Sequence, residues 1–236
     1  MSITNEQQAQ ISYRHKNEIQ HLFKNYVKGD LAIDHFSLNI FFGNGQSIFL
    51  SPTPEMANKL CRYGFVNQDS NYDPDIYKRF SLYPWRSVQK NETDRVINFI
   101  KEERFQMRSG IMIVRDLGEG RYVMYSVATH KRDNPDFPGQ FYFLFHCKAN
   151  YIAQMGDFLY DNLLPTIQEY GHQTGIHMPK LDYFKPLNLE SSFLTQEQYD
   201  MFEFLKNGTH TDLKKILKKR DSSVLKLNNN GKIGEY

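Results

Sequence analysis

The chain has 236 residues, of which 40% are hydrophobic and 14% are aromatic. That composition is sufficient to bury a core, and it excludes a chain that is disordered throughout. With 29 Lys and Arg residues against 27 Asp and Glu, the net charge of +2 argues neither for nor against nucleic acid as a partner.

The N-terminal part of the chain predicts one long helix followed by a hairpin. Thr4 and Gln7 have capping-box spacing and Gly29-Asp30 is a stop signal, so a helix is predicted over residues 6 to 28. Residues 33 to 42 alternate with a period of two, which predicts a strand. Its apolar face carries Phe36, Leu38, Ile40 and Phe42, and its other face carries His35, Ser37 and Asn39. The turn Gly43-Asn44-Gly45 then leads to a second strand at residues 46 to 50.

The middle of the chain predicts a short helix, a long loop and more strands. Residues 55 to 63 follow two prolines and predict the helix, whereas residues 64 to 90 predict a loop with one helical turn. A helix resumes near Asn91 with Val96, Ile97 and Ile100 facing inward. Strands are predicted at residues 109 to 114, 121 to 129 and 140 to 146. A long helix over residues 148 to 170 has the apolar stripe Ile152, Met155, Leu159, Leu163 and Ile167.

This order of elements predicts an α/β (α+β) fold, because strands joined by short turns pair antiparallel. We expect an antiparallel five-stranded sheet sandwiched between helices, an α-β-α sandwich, plus a small C-terminal helical unit. The expected domains are residues 1–172, a linker at 173–192 that contains Gly and Pro, and a second unit at 193–236. The polar N-terminus and the lack of a ~20-residue apolar run predict a cytoplasmic protein without a membrane partner.

Several short motifs occur in a specific order around Trp85, the single tryptophan. They are Asp34-His35-Phe36-Ser37, the proline-led stretch 51–65, Asp69, Trp85, Ser109–Val114, Met124–Thr129, and Leu194-Thr195-Gln196-Glu197 with Gly208. In this order they resemble LuxR-type quorum-sensing regulators over most of the chain. The resemblance implies an autoinducer-binding domain that buries an acyl-homoserine lactone, followed by a helix-turn-helix that binds DNA.

The resemblance also implies which residues bind the ligand's polar groups. The family's aspartate accepts a hydrogen bond from the ligand amide; Asp69 matches it by spacing from the preceding helix, and Asp73 matches it by the proline that follows. Asp69 is preferred narrowly, because residues 64–69 match the family's spacing without an inserted residue. Trp85 matches the tryptophan whose indole N–H donates to the lactone carbonyl. The alternatives are that either acid caps a turn and that Trp85 is an ordinary core residue.

Three further positions on the strands belong to the implied pocket. Gly110 matches a glycine where a side chain would crowd the cavity. Ser126 and Thr129 place hydroxyls on a strand beside the pocket, where they either bind ligand or have a structural role.

The sequence departs from the family at two positions of the pocket. The family has tryptophan and then tyrosine on the helix before the aspartate, and Met56 and Leu60 occupy those positions here. The chain therefore lacks one hydroxyl donor and the flat aromatic surface that covers the acyl amide. Losing them should weaken the binding of a standard acyl-homoserine lactone. We expect either a different acyl-type ligand or a cavity filled by side chains.

The C-terminal tail resembles an incomplete helix-turn-helix. The basic residues Lys214, Lys215, Lys218, Lys219 and Arg220 either contact phosphates or form a solvated helix face. Ser222 and Ser223 resemble the start of the recognition helix, but Asn228-Asn229-Asn230-Gly231 is a poor helix interior. The tail therefore fits either a DNA-binding unit or a shortened one that does not bind DNA.

The sequence gives little support for metal binding, phosphate binding or catalysis. The eight histidines and two cysteines show no metal-ligand spacing, and Gly118-Glu119-Gly120 is typical of a hairpin turn rather than a phosphate-binding loop. We expect no enzyme activity, no metal and no cofactor. Two functions remain: a dimeric, ligand-responsive transcription regulator, or a DNA-binding-deficient sensor or antagonist that forms homodimers or heterodimers with a related regulator. A third alternative is a generic sensor sandwich whose resemblance to the family arose through convergence.

Overall fold

The computed structural model describes residues 4–28, 33–130, 137–181 and 186–187. All of them belong to one unit, Met1–Leu194. The helices are α1 (Asn5–Arg14), α2 (Lys16–Tyr26), α3 (Pro54–Arg62), α4 (Pro74–Tyr77), α5 (Glu92–Phe99) and α6 (Phe137–Thr174). The strands are β1 (His35–Phe42), β2 (Ser47–Leu50), β3 (Leu82–Pro84), β4 (Met107–Gly118) and β5 (Arg121–His130).

The five strands form one antiparallel sheet in the order β2-β1-β5-β4-β3. The expected α+β fold with a five-stranded antiparallel sheet is confirmed, although one of the five strands comes from a different stretch of the sequence than predicted. β3 comes from the stretch predicted as a loop, and Pro84 is tolerated because β3 is an edge strand. Both edge strands are short, which limits pairing with other chains.

The prediction of a strand at residues 140 to 146 is wrong, because these residues are the first turns of α6. Phe141 and Phe145 are both buried and lie one helical turn apart, with ring centroids separated by 4.0 Å. A short aromatic run has no clear period, so a buried helix and a buried strand look alike in sequence. The predicted apolar stripe of α6 is confirmed: Ile152, Leu159, Leu163 and Ile167 are buried and Met155 is partly buried.

The long N-terminal helix is divided at His15 into α1 and α2, which corrects the prediction of one helix over residues 6 to 28. The capping box of Thr4 and Gln7 is present. The break allows α1 to pack against α3 and β2, while α2 packs against α6. On α5, Ile97 is buried as expected, whereas the prediction for Val96 is wrong because its side chain is exposed.

The two faces of the sheet belong to two separate apolar clusters. Phe36, Leu38, Ile40 and Phe42 point to the face covered by α2 and α6, as their spacing predicts. The opposite face packs against α3, α5 and the segment between them, in a cluster that contains Met56, Leu60, Trp85, Ile97 and Met112. The polar positions of β1 therefore lie in this second layer, which also contains the candidate site.

Part of the predicted linker packs on α6. Met178 is fully buried, and its backbone N–H donates to Gln168 Oε1 at 3.3 Å. The predicted unit at residues 193–236 lies outside the described residues. Within the ranges given above, no helix has the length and apolar character needed to cross a membrane.

Candidate functional site

A cavity of about 30 Å³ lies between the second face of the sheet, α3 and the C-terminal end of α5. Its lining has four polar side chains on or beside strands, several apolar side chains, one indole and one ammonium: Ser37, Asn39, Ser51, Ser126, Phe49, Met56, Ala57, Leu60, Cys61, Tyr72, Trp85 and Lys101. This volume is far below the roughly 300 to 1,000 Å³ of pockets that bind drug-sized ligands. A guest of more than a few heavy atoms would therefore require these side chains to move.

The polar floor of the cavity follows from the alternation of β1. Ser37 and Asn39 point away from the apolar face, and Ser37 lies directly across the sheet from Ser126 on β5. All three are buried, and Asn39 Nδ2 donates to the Met124 carbonyl at 3.3 Å. Buried polar side chains at adjoining positions are costly in a core unless they have partners.

A buried ion pair joins Lys101 to Asp69 at one side of the cavity. Lys101 Nζ lies 2.8 Å from Asp69 Oδ2, and the two side chains are 5% and 3% exposed. Asp69 Oδ1 accepts from the Asn71 backbone N–H at 3.0 Å and from Asn71 Nδ2 at 2.7 Å. Both carboxylate oxygens are therefore engaged within the protein.

The Lys101 ammonium also lies over the ring of Trp85, 4.6 Å from its centroid. Lys101 belongs to a single π-helical turn, Ile100–Arg104, that continues α5, and such turns often occur at functional sites. Trp85 begins a 3-10 turn directly after β3 and is 3% exposed. Its Nε1–H is buried and has no hydrogen-bond partner among the described residues.

Gly110 on β4 allows the indole to lie against the sheet. A Cβ at this position would be 2.3 Å from two ring atoms of Trp85, Cδ2 and Cε2. The glycine thus leaves space for Trp85, which in turn lines the cavity.

Two titratable groups near the cavity are held in their neutral forms. Burial, then the Lys101 ammonium and His130, lowers the pKa of His35 to about 3. His35 Nδ1 lies 3.2 Å from Thr53 Oγ1. Burial raises the pKa of the Cys61 thiol to about 12, so this cavity-lining cysteine is protonated and a weak nucleophile.

The residues predicted from the sequence have different locations. Met56, Leu60, Trp85 and Ser126 line the cavity. Asp69 adjoins the cavity through its ion pair with Lys101.

Two other predicted residues make local contacts. Asp73 caps α4 and pairs with Lys90 near the surface. Thr129 Oγ1 donates to Asp34 Oδ2 at 3.0 Å.

The candidate DNA-contacting residues lie outside the described residues. They are Lys214, Lys215, Lys218, Lys219, Arg220, Ser222 and Ser223.

Lys101 is the main site residue that the sequence analysis missed. It lies four residues after Ile97, so the two share one face of a helix, and Ile97 was expected to face inward. A lysine on the buried side of a helix was the available signal. Ser37 and Asn39 were assigned to the correct face of β1, but they were not connected with the pocket.

No family model matches the chain, and no curated protein matches it in sequence. In the part of the chain that the structure describes, no group of three or more His, Cys, Asp and Glu side chains could hold a metal ion. The geometry of the site therefore carries the functional argument.

Proposed function

We propose that residues 1–172 are the sensor domain of a cytoplasmic regulator similar to the LuxR type, and that a small molecule binds at the cavity beside Trp85. The observation that carries this proposal is the buried indole N–H of Trp85, which has no acceptor among the described residues. A buried donor without a partner costs about 1 to 3 kcal/mol. A bound acceptor, such as a carbonyl oxygen, would remove that cost.

The main alternative is that Trp85 only fills the core. Its membership of the second apolar cluster fits that view. The polar lining favours a binding site instead, because Ser37, Asn39 and Ser126 occupy positions where a core would be expected to have apolar side chains. Pockets for small molecules combine apolar walls with a few converging polar groups in this way.

The proposed ligand is not an ordinary long-chain acyl-homoserine lactone. Met56 and Leu60 line the cavity without the hydroxyl that the family pattern has there. Asp69, the expected partner of the ligand amide, is already bound to Lys101 and Asn71. The small volume of the cavity also argues against a ligand with a long acyl chain.

Thermal unfolding with fractions of an organic extract from the source organism tests the binding proposal. We expect one fraction to raise the Tm of the wild-type protein by several degrees, because a ligand that binds only the folded state stabilises it. Ser126→Leu, which fills the cavity, should abolish the shift. Tyr83→Phe is the matched control, since Tyr83 belongs to the same cluster but donates to the Asn71 carbonyl. Equal shifts in the wild type and Ser126→Leu would contradict the proposal.

The output of the proposed sensor is either DNA binding or association with a related regulator. A mobility-shift assay with source-organism DNA, repeated over a range of salt concentrations, separates the two. A regulator should retain selected fragments in the presence of nonspecific competitor. An antagonist should retain none and should form a dimer with a full-length relative.

A further inference from the structure

We infer that Lys101 and Asp69 react with each other to form a side-chain amide, an isopeptide bond between the lysine Nζ and the carboxyl carbon of the aspartate. The inference concerns a covalent modification of the chain itself, so it does not depend on the proposed function. It follows from the contact between the two groups, the hydrogen bonds on the carboxylate and the exclusion of water from the pair.

The two reacting groups are held in contact in the folded protein. Lys101 Nζ lies 2.8 Å from Asp69 Oδ2, so the nitrogen is within about 4 Å of the carboxyl carbon. Well-oriented groups held together in this way react as if their effective concentration were roughly 10⁵ M or higher. That gain offsets the unfavourable equilibrium that a separate amine and carboxylic acid have in water. The cavity beside Lys101 leaves room for the nitrogen to move from the edge of the carboxyl group to its face.

The carboxyl group of Asp69 is polarised for attack by Asn71. Asp69 Oδ1 accepts from the Asn71 backbone N–H at 3.0 Å and from Asn71 Nδ2 at 2.7 Å. Attack on the carboxyl carbon places negative charge on this oxygen, and two fixed N–H donors stabilise such a charge. The other oxygen, Oδ2, contacts the lysine, so Oδ2 is the oxygen that leaves.

The reaction needs no partner beyond the two side chains. The ammonium first transfers a proton to Asp69 Oδ2 through their hydrogen bond, which gives a neutral amine and a carboxylic acid. Nζ then forms a bond to the carboxyl carbon, and a second proton passes from Nζ to Oδ2. The bond between the carbon and Oδ2 breaks, one water molecule leaves, and an amide with one N–H remains. The cavity of about 30 Å³ is large enough to take up that water.

Burial favours the neutral pair on which the reaction depends. The side chains of Lys101 and Asp69 are 5% and 3% exposed, and charges removed from water are far more costly than a neutral amine and acid. The Trp85 ring opposes the first proton transfer, because its contact with the ammonium at 4.6 Å favours the charged form. We therefore expect the amide to form slowly, with the ion pair predominant in freshly purified protein.

Intact-mass spectrometry of the full-length protein tests the inference. While the folded protein is incubated just below the onset of thermal unfolding, a species lighter by one water molecule should accumulate. Digestion and fragmentation should show a cross-link between residues 69 and 101. The pair of Lys90 and Asp73 is an internal control, because its Nζ and Oδ2 are 2.5 Å apart but its side chains are 46% and 29% exposed. This exposed pair should remain unlinked.

Substitutions on each side of the proposed bond test how it forms. Lys101→Arg keeps the positive charge but has no amine nucleophile, so it should accumulate no cross-linked species. Asn71→Leu removes one donor to Asp69 Oδ1 and should slow cross-linking about a hundredfold. Asn98→Leu is the matched control and should cross-link at the wild-type rate, because Asn98 is also buried but its Nδ2 donates to the Asp94 carbonyl at 2.9 Å. Circular dichroism establishes that each variant is folded.

Three results would overturn the inference. The first is a wild-type mass that stays unchanged during several days of incubation. The second is a loss of water that maps to an aspartate without a link to residue 101, and the third is an equal rate in Asn71→Leu and Asn98→Leu. The first two are measured on the wild type and do not require any variant to fold. None of the three bears on whether a small molecule binds at the cavity.

Discussion

Lys101 and Asp69 make each other's burial possible. Each charge is shielded from water and has the other as its ionic partner, at 2.8 Å. Breaking such a pair leaves an uncompensated charge, whereas replacing both members with apolar side chains is often tolerated. The pair is therefore better understood as setting the polarity of the cavity than as a source of stability.

Substitution of one or both partners tests this view of the ion pair. Asp69→Ala should lower the free energy of unfolding by about 3 to 5 kcal/mol, because the Lys101 ammonium is left buried and unpaired. The double variant Asp69→Leu/Lys101→Met should recover most of that loss. Urea denaturation measures both. A double variant that is no more stable than Asp69→Ala would contradict this view of the pair.

Gly110 should control the position of Trp85. A Cβ on Gly110 would lie 2.3 Å from the indole, and a Cβ on Gly156 would lie 2.3 Å from the Tyr125 ring on the other face of the sheet. Each Gly→Ala substitution should therefore lower stability by about 1 to 3 kcal/mol through overpacking. Gly110→Ala alone should change the fluorescence spectrum of native Trp85. Unchanged emission from folded Gly110→Ala would show that the indole does not depend on this glycine.

Among the elements, the segment between α3 and α5 positions the site. Hydrogen bonds to Asp94 hold this segment in place. The Asp94 carboxylate accepts from Ser70 N at 2.8 Å, Ser70 Oγ at 2.7 Å, Lys90 N at 2.7 Å and Asn91 N at 3.1 Å. Burial by itself raises the pKa of Asp94, but these hydrogen bonds outweigh it and the pKa is lowered. One side chain thus joins the start of α5 to the segment next to Asp69.

Asp94→Asn should loosen this connection. We expect the free energy of unfolding to fall by about 2 to 4 kcal/mol, because an amide cannot accept all four hydrogen bonds of the carboxylate. The lowered pKa also means that the carboxylate's contribution is present at neutral pH and is lost as pH falls through that pKa. Chemical denaturation of Asp94→Asn and of the exposed control Asp75→Asn measures the effect. Equal losses in the two variants would contradict the role given to Asp94.

The elements differ in how well the sequence predicts them, for physical reasons. β1 was predictable because polar and apolar side chains alternate from His35 to Ile40. β3 was not, since three residues with a proline have no measurable period. The start of α6 was assigned wrongly because Phe141 and Phe145 suit a buried helix and a buried strand equally well.

The candidate site was predictable only in part, because its central interaction is not local in sequence. Trp85, Ser126, Met56 and Leu60 were identified through the family resemblance, and all four line the cavity. The pairing of Lys101 with Asp69 joins residues that are 32 positions apart. No spacing rule predicts such a contact, although the four-residue spacing from Ile97 to Lys101 indicates that Lys101 faces inward.

At the scale of the whole molecule, the two layers of the described unit have different characters. The layer with α2 and α6 contains a large apolar cluster and the buried Arg115–Asp157 pair. The layer with α3 and α5 contains the cavity and His35 close to Lys101. We therefore expect the first layer to carry most of the stability and the second to respond to a ligand.

The stability of the whole fold should depend on pH through His35. Its pKa falls from 6.5 to about 3 in the folded protein, so below pH 6.5 the unfolded chain binds a proton that the folded chain does not bind. Stability is therefore lost as pH falls, by about 1 kcal/mol between pH 6 and pH 5. His35→Asn should remove this part of the pH dependence in urea denaturation curves. Parallel curves for the wild type and the variant would contradict a neutral, buried His35.

Mass spectrometry tests most directly whether the cavity beside Trp85 holds a small molecule. The protein is purified from its source organism and denatured, and the compounds that it releases are identified. We predict one compound in near-stoichiometric amount from the wild type and from Tyr83→Phe, and several-fold less from Trp85→Phe, which lacks the indole donor. The released compound should carry a carbonyl oxygen. Release of no compound above the background of an unrelated protein, or the same amount from Trp85→Phe, would contradict the claim.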